Sequence, residues 1–285
     1  MELDRVFYKK KEYHSEEICG KQTLLLDNMR IANIKAIKGL DKLVRLQKLV
    51  LSENSLRVID GLETLVNLEE LVLENNKIQK IEGLDNLTKL RKLNLGWNQI
   101  SRIEGLSKLV NLQELRLYAN HISKISGLDT LSRLEILFLD ENSIIEIEGL
   151  DKLVNLQRLY IGDNKVAIIN GLDRIINLKI LDLGNNQIEN ISGLNKLIQI
   201  ERLNLAGNRI KRIGGLGYLI NLKTLYLDEN PLDTVEGMEN LASLTHLYID
   251  GTGIAEEKIN SLGGIDRSTN TARNPRAFID YCKRQ

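Results

Sequence analysis

Residues 93–112 read LNLGWNQISRIEGLSKLVNL, and this stretch is one copy of a 22-residue pattern that recurs along the chain. A glycine series keeps the same 22-residue step from Gly39 to Gly237. The pattern also repeats an asparagine at this step, at Asn54, Asn76, Asn98, Asn120, Asn142, Asn164, Asn186, Asn208 and Asn230. A fixed period of this length predicts an array of stacked units, each of which contacts only its neighbours.

The spacing of the apolar residues changes within each copy. Leu93 and Leu95 lie two residues apart, which is typical of a short strand with one outward residue between two buried ones. The segment 105–112 reads GLSKLVNL, and its leucines lie three residues apart, which is typical of a turn of helix. Each unit is therefore predicted to be a strand, a turn and a short helical or 3₁₀ return.

Stacking such units predicts an α/β fold, a curved solenoid. Parallel strands of successive units pair at roughly 4.8 Å, whereas helical returns are wider than strands. The parallel β-strands are therefore expected on the concave face and the short helical or 3₁₀ returns on the convex face.

The recurring asparagine and the recurring glycine each have a structural explanation. A buried asparagine amide can donate to and accept from backbone groups that no strand partner reaches, so the series predicts an internal ladder. Replacing one member, as in Asn142→Leu, should cost about 1–3 kcal/mol, much more than Ser143→Ala. The glycine at the entry to each return indicates a positive φ or a close approach of the next unit.

Both ends of the chain depart from the pattern. We assign residues 1–23 to an N-terminal cap, with Tyr8, Tyr13 and Ile18 as its apolar contacts. Residues 24–254 form the array, with one irregular first unit followed by about ten 22-residue units. Residues 255–285 form a C-terminal cap, with short helices predicted over 255–262 and from Pro275.

The composition of the chain limits the kind of partner that it is expected to bind and the cellular compartment in which it is expected. The 39 basic and 39 acidic residues balance to a net charge of zero, which provides no overall field to attract nucleic acid or an anionic membrane. The N-terminal MELDRVFYKKKEYHSEE lacks the apolar run of a secretory signal. We therefore predict a cytoplasmic protein, with the nucleus as the alternative, a monomeric state, and free thiols at Cys19 and Cys282.

No motif for catalysis, cofactor or metal binding is found. His14, His121 and His246 are too far apart in the array to share a metal. HExxH, paired CxxC, GxxxxGK[ST], GxGxxG after a strand, and GxSxG are all absent. The sequence therefore predicts a protein that is not an enzyme and holds no cofactor.

The strand positions that point away from the core are free to carry function. Together with the positions just after each strand, they hold six of the chain's twelve aromatic residues, with arginines and carboxylates beside them, which is the composition of a protein-binding hot spot. The alternative is that tyrosine and phenylalanine simply favour strands. The candidate partner-binding residues are Trp97, Arg116, Tyr118, Phe138, Asp140, Arg158, Tyr160, Asp182, Tyr226 and Tyr248.

The frame LxLxxNxIxxIxGLxxLxxL, with IEGL at 81–84, 103–106 and 147–150, resembles the 22-residue leucine-rich repeat. It is most similar to the subclass of the nuclear regulatory subunit of protein phosphatase 1, whose partner-binding residues are alternating acids and aromatics on the concave face. This chain matches that pattern in type at Phe138, Asp182, Tyr226 and Tyr248. Arg116 departs from it.

The resemblance implies a non-catalytic scaffold that binds a folded protein, with a phosphatase catalytic subunit as the specific candidate. Bacterial internalins use closely similar repeats, so a surface or secreted recognition protein is the alternative. An engineered or reconstructed scaffold without an evolved partner is a further one.

Overall fold

The computed structural model describes residues 5–285, and it divides into two compact units. The first ends at Asn142 and is called the N-unit. The second begins at Ser143 and is called the C-unit. Each unit is a stack of repeats, so the predicted solenoid of parallel strands is confirmed.

In its described residues, 5–142, the N-unit contains nine strands and two short 3₁₀ helices, over Ile34–Ala36 and Leu40–Lys42. The strands are β1 Arg5–Tyr8, β2 Lys11–His14, β3 Glu16–Ile18, β4 Lys21–Leu25, β5 Lys48–Val50, β6 Glu70–Val72, β7 Lys92–Asn94, β8 Glu114–Arg116 and β9 Ile136–Phe138.

The C-unit contains seven strands and two α-helices, α1 Glu256–Ser261 and α2 Pro275–Cys282. The strands are β10 Arg158–Tyr160, β11 Ile180–Asp182, β12 Arg202–Asn204, β13 Thr224–Tyr226, β14 His246–Tyr248, β15 Ile265–Asp266 and β16 Thr271–Ala272.

The period of the sequence sets the register of the strands. From β5 to β9, and from β10 to β14, each strand pairs in parallel with the next in its unit, as Leu49 does with Leu71. Partners are thus 22 residues apart. The first repeat is irregular as predicted, because Leu24 pairs with Leu49 across 25 residues. The alternation of side chains buries both strand leucines of each copy and turns the residue between them outward.

The returns are simpler than the short helical or 3₁₀ segment predicted for each copy. In the first copy the return holds the two 3₁₀ helices. A later return is a pair of turns, as where Leu109 N–H donates to Leu106 at 2.9 Å and Leu112 N–H to Leu109 at 3.0 Å. These bonds join every third residue and skip those between, so they do not build a continuous helix.

The internal asparagine ladder is present in both units. Asn98 Oδ1 accepts the Ile78 N–H at 3.0 Å, and its Nδ2 donates to Leu73, Leu95 and Gly96 carbonyls at 3.0–3.1 Å. Eight of the nine side chains are buried, whereas Asn142 is half-buried. The amide therefore satisfies backbone groups of its own repeat and of the preceding one.

The glycine series has the predicted left-handed backbone. Gly105 has φ +68°, and a Cβ added there would collide with the carbonyl oxygen of Ile81 in the preceding repeat. Both the conformation and the lack of space therefore exclude a side chain.

Side chains near the two ends of the chain differ in how deeply they are buried. Tyr8 is buried and Tyr13 half-buried, but the prediction that Ile18 packs as a cap contact is wrong, since it is 38% exposed on β3. At the other end, α2 begins at Pro275 and buries Phe278. The division into two caps and an array stays a prediction.

Candidate functional site

The candidate site is the strand face, which in each unit we define as the surface formed by the outward side chains of strands β5 to β14 and of the three residues that follow each strand. The last residues of these strands are half-buried, whereas the flanking leucines are buried. They are Val50, Val72, Asn94, Arg116, Phe138, Tyr160, Asp182, Asn204, Tyr226 and Tyr248. The predicted outward direction of these side chains is therefore confirmed.

Tyr118 is fixed to its neighbours on the N-unit strand face. Its hydroxyl donates to Glu74 Oε1 at 2.5 Å, and Glu74 Oε2 accepts from Asn94 Nδ2 at 2.9 Å. The Tyr118 ring lies over Gly96, where an added Cβ would meet the ring at 2.5 Å. Burial, reinforced by the hydrogen bond to the Glu74 carboxylate, raises the pKa of Tyr118 to about 12. The phenol therefore stays a donor at neutral pH.

Arg116 is held by two contacts in the same unit. Its Nε donates to Glu114 Oε1 at 2.6 Å, and its guanidinium carbon lies 5.1 Å from the centre of the Phe138 ring, in cation–π geometry. Glu114 is buried and also lies 3.6 Å from Lys92 Nζ. The guanidinium plane is thus positioned before any partner arrives.

The remaining candidates of the N-unit differ in exposure. Trp97 follows β7 and is 54% exposed. Asp140 follows β9 and is half-buried. Its backbone carbonyl accepts from Ala119 N at 2.9 Å and from Asn142 Nδ2 at 3.0 Å.

The C-unit strand face carries a tyrosine pair at the ends of its last two parallel strands, β13 and β14. Tyr226 and Tyr248 are stacked, with ring centroids 4.3 Å apart and planes inclined by 17°. Burial raises the pKa of the neighbouring Asp228, whose Oδ1 accepts the Asp250 N–H at 3.2 Å. An apolar ring surface is therefore placed beside two carboxylates.

The other candidates of the C-unit line the same face. Asp182 Oδ1 accepts from Asn204 Nδ2 at 2.9 Å. Arg158 is exposed at the start of β10, and Tyr160 is half-buried at its end. The structure thus brings Arg116 together with Phe138, and Tyr226 with Tyr248, each pair within its own unit.

Glu74 and Glu114 are not among the residues predicted from the sequence, although each contacts one of them. Their signal was weak, because many carboxylates occupy variable positions. Glu74 lies 44 residues from Tyr118 in the chain, two repeats away, and only the stacking of side chains across repeats joins them.

Two further classes of site are not found in the described part of the chain. Residues 5–285 hold no group of three or more histidine, cysteine or acidic side chains placed to bind a metal ion. Over the same residues, no helix has the length and apolar character needed to cross a membrane.

Comparison with known proteins identifies the repeat. The family model described as "Leucine Rich repeats (2 copies)" matches residues 44–86, 88–130, 176–218 and 198–240. Comparison with curated protein sequences gives no significant match.

Several solved structures are similar. Internalin C2 of Listeria monocytogenes is 31% identical, with a TM-score of 0.60 over 64% of this chain and 80% of its own. The Leptospira interrogans protein LIC12759 is 25% identical, with a TM-score of 0.71 over 79% of this chain and 59% of its own. The InlJ functional domain of Listeria monocytogenes is 22% identical and supports the fold alone, with a TM-score of 0.65 over 80% of this chain; the match spans 53% of that chain.

Proposed function

Because the chain belongs to the leucine-rich repeat family, we propose that it is a non-catalytic scaffold that binds a folded protein on its strand face. Leucine-rich repeat domains are generally non-enzymatic interaction domains. The proposal goes further by assigning binding to one face and to named residues.

The observation that carries the proposal is the arrangement of aromatic side chains on that face. Phe138 lies under Arg116, and Tyr226 is stacked on Tyr248. Aromatic and arginine side chains are the commonest hot-spot residues. Side chains already held by neighbours lose less conformational freedom on binding, so a fixed array favours affinity.

The charges of the face favour a folded protein as the partner. Arg116 and Arg158 supply positive charge, and Asp182, Asp228 and Asp250 supply negative charge. A surface that carries both positive and negative charge is more complementary to a protein of mixed charge than to the uniformly anionic backbone of a nucleic acid.

A second candidate is an internalin-like recognition protein. The similarity to internalin C2 favours it over other leucine-rich repeat proteins. The phosphatase-regulator version has no support from the comparisons and rests on the sequence resemblance alone. Cytoplasmic location and a monomeric state likewise stay predictions.

Cross-linking followed by affinity capture tests the assignment of the face. The double variant Phe138→Ala with Tyr160→Ala should lose the specific partner that the wild type captures. A matched control, Val110→Ala with Val154→Ala, removes exposed side chains from the returns and should retain it. Equal retention by both double variants would show that the strand face is not the binding surface.

Direct titration with a purified phosphatase 1 catalytic subunit tests the specific version. Saturable binding that Phe138→Ala with Tyr160→Ala weakens would support it. If no association occurs at micromolar concentration, the phosphatase candidate is removed and the internalin-like candidate stands.

A further inference from the structure

A cleft of about 530 Å³ opens on the strand face of the N-unit, beside the only tryptophan of the chain. One wall is aromatic and the others are mainly acidic. The residues that concern the argument are Asp27, Val50, Glu53, Glu74 and Trp97.

Trp97 has an unusual backbone for a large side chain. Its φ is +53°, in the left-handed region that bulky residues rarely occupy. The same position in neighbouring repeats carries Glu53, Asn75, Ala119 and Glu141. The left-handed backbone is therefore a feature of the repeat, and the large exposed side chain is what distinguishes this copy.

The backbone of Trp97 is nevertheless firmly held. Its N–H donates to the Tyr118 carbonyl at 3.0 Å, and its carbonyl accepts the Asn76 N–H at 3.1 Å. The indole, 54% exposed, is thus held at the edge of the cleft by the repeat itself.

Two of the three carboxylates of the cleft accept hydrogen bonds from neutral groups, and the third is exposed. Asp27 Oδ1 accepts the Ser52 N–H at 3.0 Å, and the two oxygens of Glu74 accept from Tyr118 and Asn94. Glu53 is exposed. Within residues 5–285, none of the three forms an ion pair with a lysine or arginine. Each carboxylate oxygen keeps capacity for a further donor, so the cleft carries uncompensated negative charge.

We propose that this cleft binds an arginine side chain of the partner protein, an inference that rests on the proposed protein-binding function. A guanidinium is planar and can lie against the indole while its five N–H groups donate to the surrounding carboxylates. It is also more weakly hydrated than the ammonium of lysine, so it loses less on entering a half-open cleft.

Trp97 fluorescence reports on the cleft directly, because the chain has a single tryptophan. The probe is the blocked tripeptide acetyl-Gly-Arg-Gly-amide. Its titration should change the emission with a saturable curve that added salt weakens. The same peptide with citrulline is a neutral mimic of nearly the same shape and should give no saturable change.

Two outcomes overturn the proposal. A flat response to the arginine peptide up to the highest soluble concentration excludes the site. Equal affinity for the arginine peptide and a lysine or citrulline peptide excludes an arginine-selective cleft.

Variants assign the effect to the cleft. Glu53→Gln removes one charge at an exposed position and should weaken probe binding several-fold. Glu141→Gln removes the equivalent charge four repeats away and should leave the affinity unchanged. Equal weakening by both would indicate general attraction to the acidic face and overturn the site. Thermal melting of each variant verifies that it is folded.

This test and that of the proposed function fail separately. The probe titration needs no partner protein, so a positive result would stand even if Phe138→Ala with Tyr160→Ala did not affect capture. The converse outcome is a partner captured through the strand face while the probe gives no response. That result would support the scaffold function and exclude the arginine-binding cleft.

Discussion

The repeats contain two rows of asparagine with very different roles. In the inner row, Asn120 is 6% exposed and makes four hydrogen bonds, to Ile100 N–H and to the Leu95, Leu117 and Tyr118 carbonyls. The outer row, on the returns, includes Asn67, Asn111, Asn177 and Asn221, and each of these four amides donates to one carbonyl of the preceding repeat at 2.7–2.9 Å. The same residue at the same period thus differs in burial and in the number of bonds.

The comparison shows that the repeat period alone does not reveal how much a residue contributes to the stability of the fold. An unpaired buried group cannot be compensated by water, whereas an exposed carbonyl that loses its partner is hydrated at once. The inner row should therefore dominate stability, and the outer row should add little.

Asn120→Leu should give the largest effect. It leaves backbone groups of two repeats without partners in a dry interior, so we expect a loss of about 3 kcal/mol or more. The melting temperature should fall by roughly 6–12 °C, measured by circular dichroism. A shift no larger than that of Asn111→Ala would contradict the ladder.

Glycine offers a second pair with identical residue type and different settings. Gly215 has φ +66°, and its Cβ would collide with the Ile191 carbonyl oxygen, whereas Gly214 has nothing within 4 Å. Gly215→Ala should cost about 2 kcal/mol, from left-handed strain plus the collision. Gly214→Ala should be neutral or slightly stabilising, because alanine restricts the unfolded chain. Chemical denaturation compares the two, and equal midpoints would contradict the assignment.

Tyr118, on the strand face, should make a smaller contribution to stability, and this contribution depends on pH. Its pKa is raised from 10.0 to about 12 in the folded protein, so its contribution is complete below pH 10 and is lost as the pH rises toward 12. The wild type should therefore lose more melting temperature between pH 10 and pH 12 than Tyr118→Phe, which has no proton to release. Parallel curves would show that folding, through burial and the Glu74 hydrogen bond, does not raise the pKa of Tyr118.

Asn111→Ala should have the smallest effect. It removes the donor to the Thr88 carbonyl at 2.8 Å, in an exposed pair. We expect at most about 0.5 kcal/mol and a shift of roughly 1–2 °C. A loss as large as that of Asn120→Leu would mean that the two rows are equivalent.

Much of the fold was predictable, because the spacing of leucines at two and then three residues encodes a strand and a return. The inner asparagine row and the positive φ of the glycines were predicted as well. The outer row was missed. Its members share their period with the frame but occupy a position where several repeats carry other residues, such as Lys89 and Arg133.

The candidate site was predictable only in part. Alternation along a strand was enough to place Phe138, Asp182 and Tyr226 on the outward face. It could not reveal that Tyr118 bonds to Glu74, since that contact spans 44 residues and depends on the χ angles of both side chains. The left-handed backbone of Trp97 was equally hidden, because its position accepts many residue types.

The sequence by itself determined the repeat, the register and the burial of the frame, because a 22-residue period brings equivalent residues into contact in every copy. The tertiary structure alone decided which free positions cooperate. Side chains at those positions meet partners from other repeats, and their contacts depend on rotamers and on space left by residues such as Gly96. That is why the ladder could be read from the pattern, whereas the cleft beside Trp97 could not.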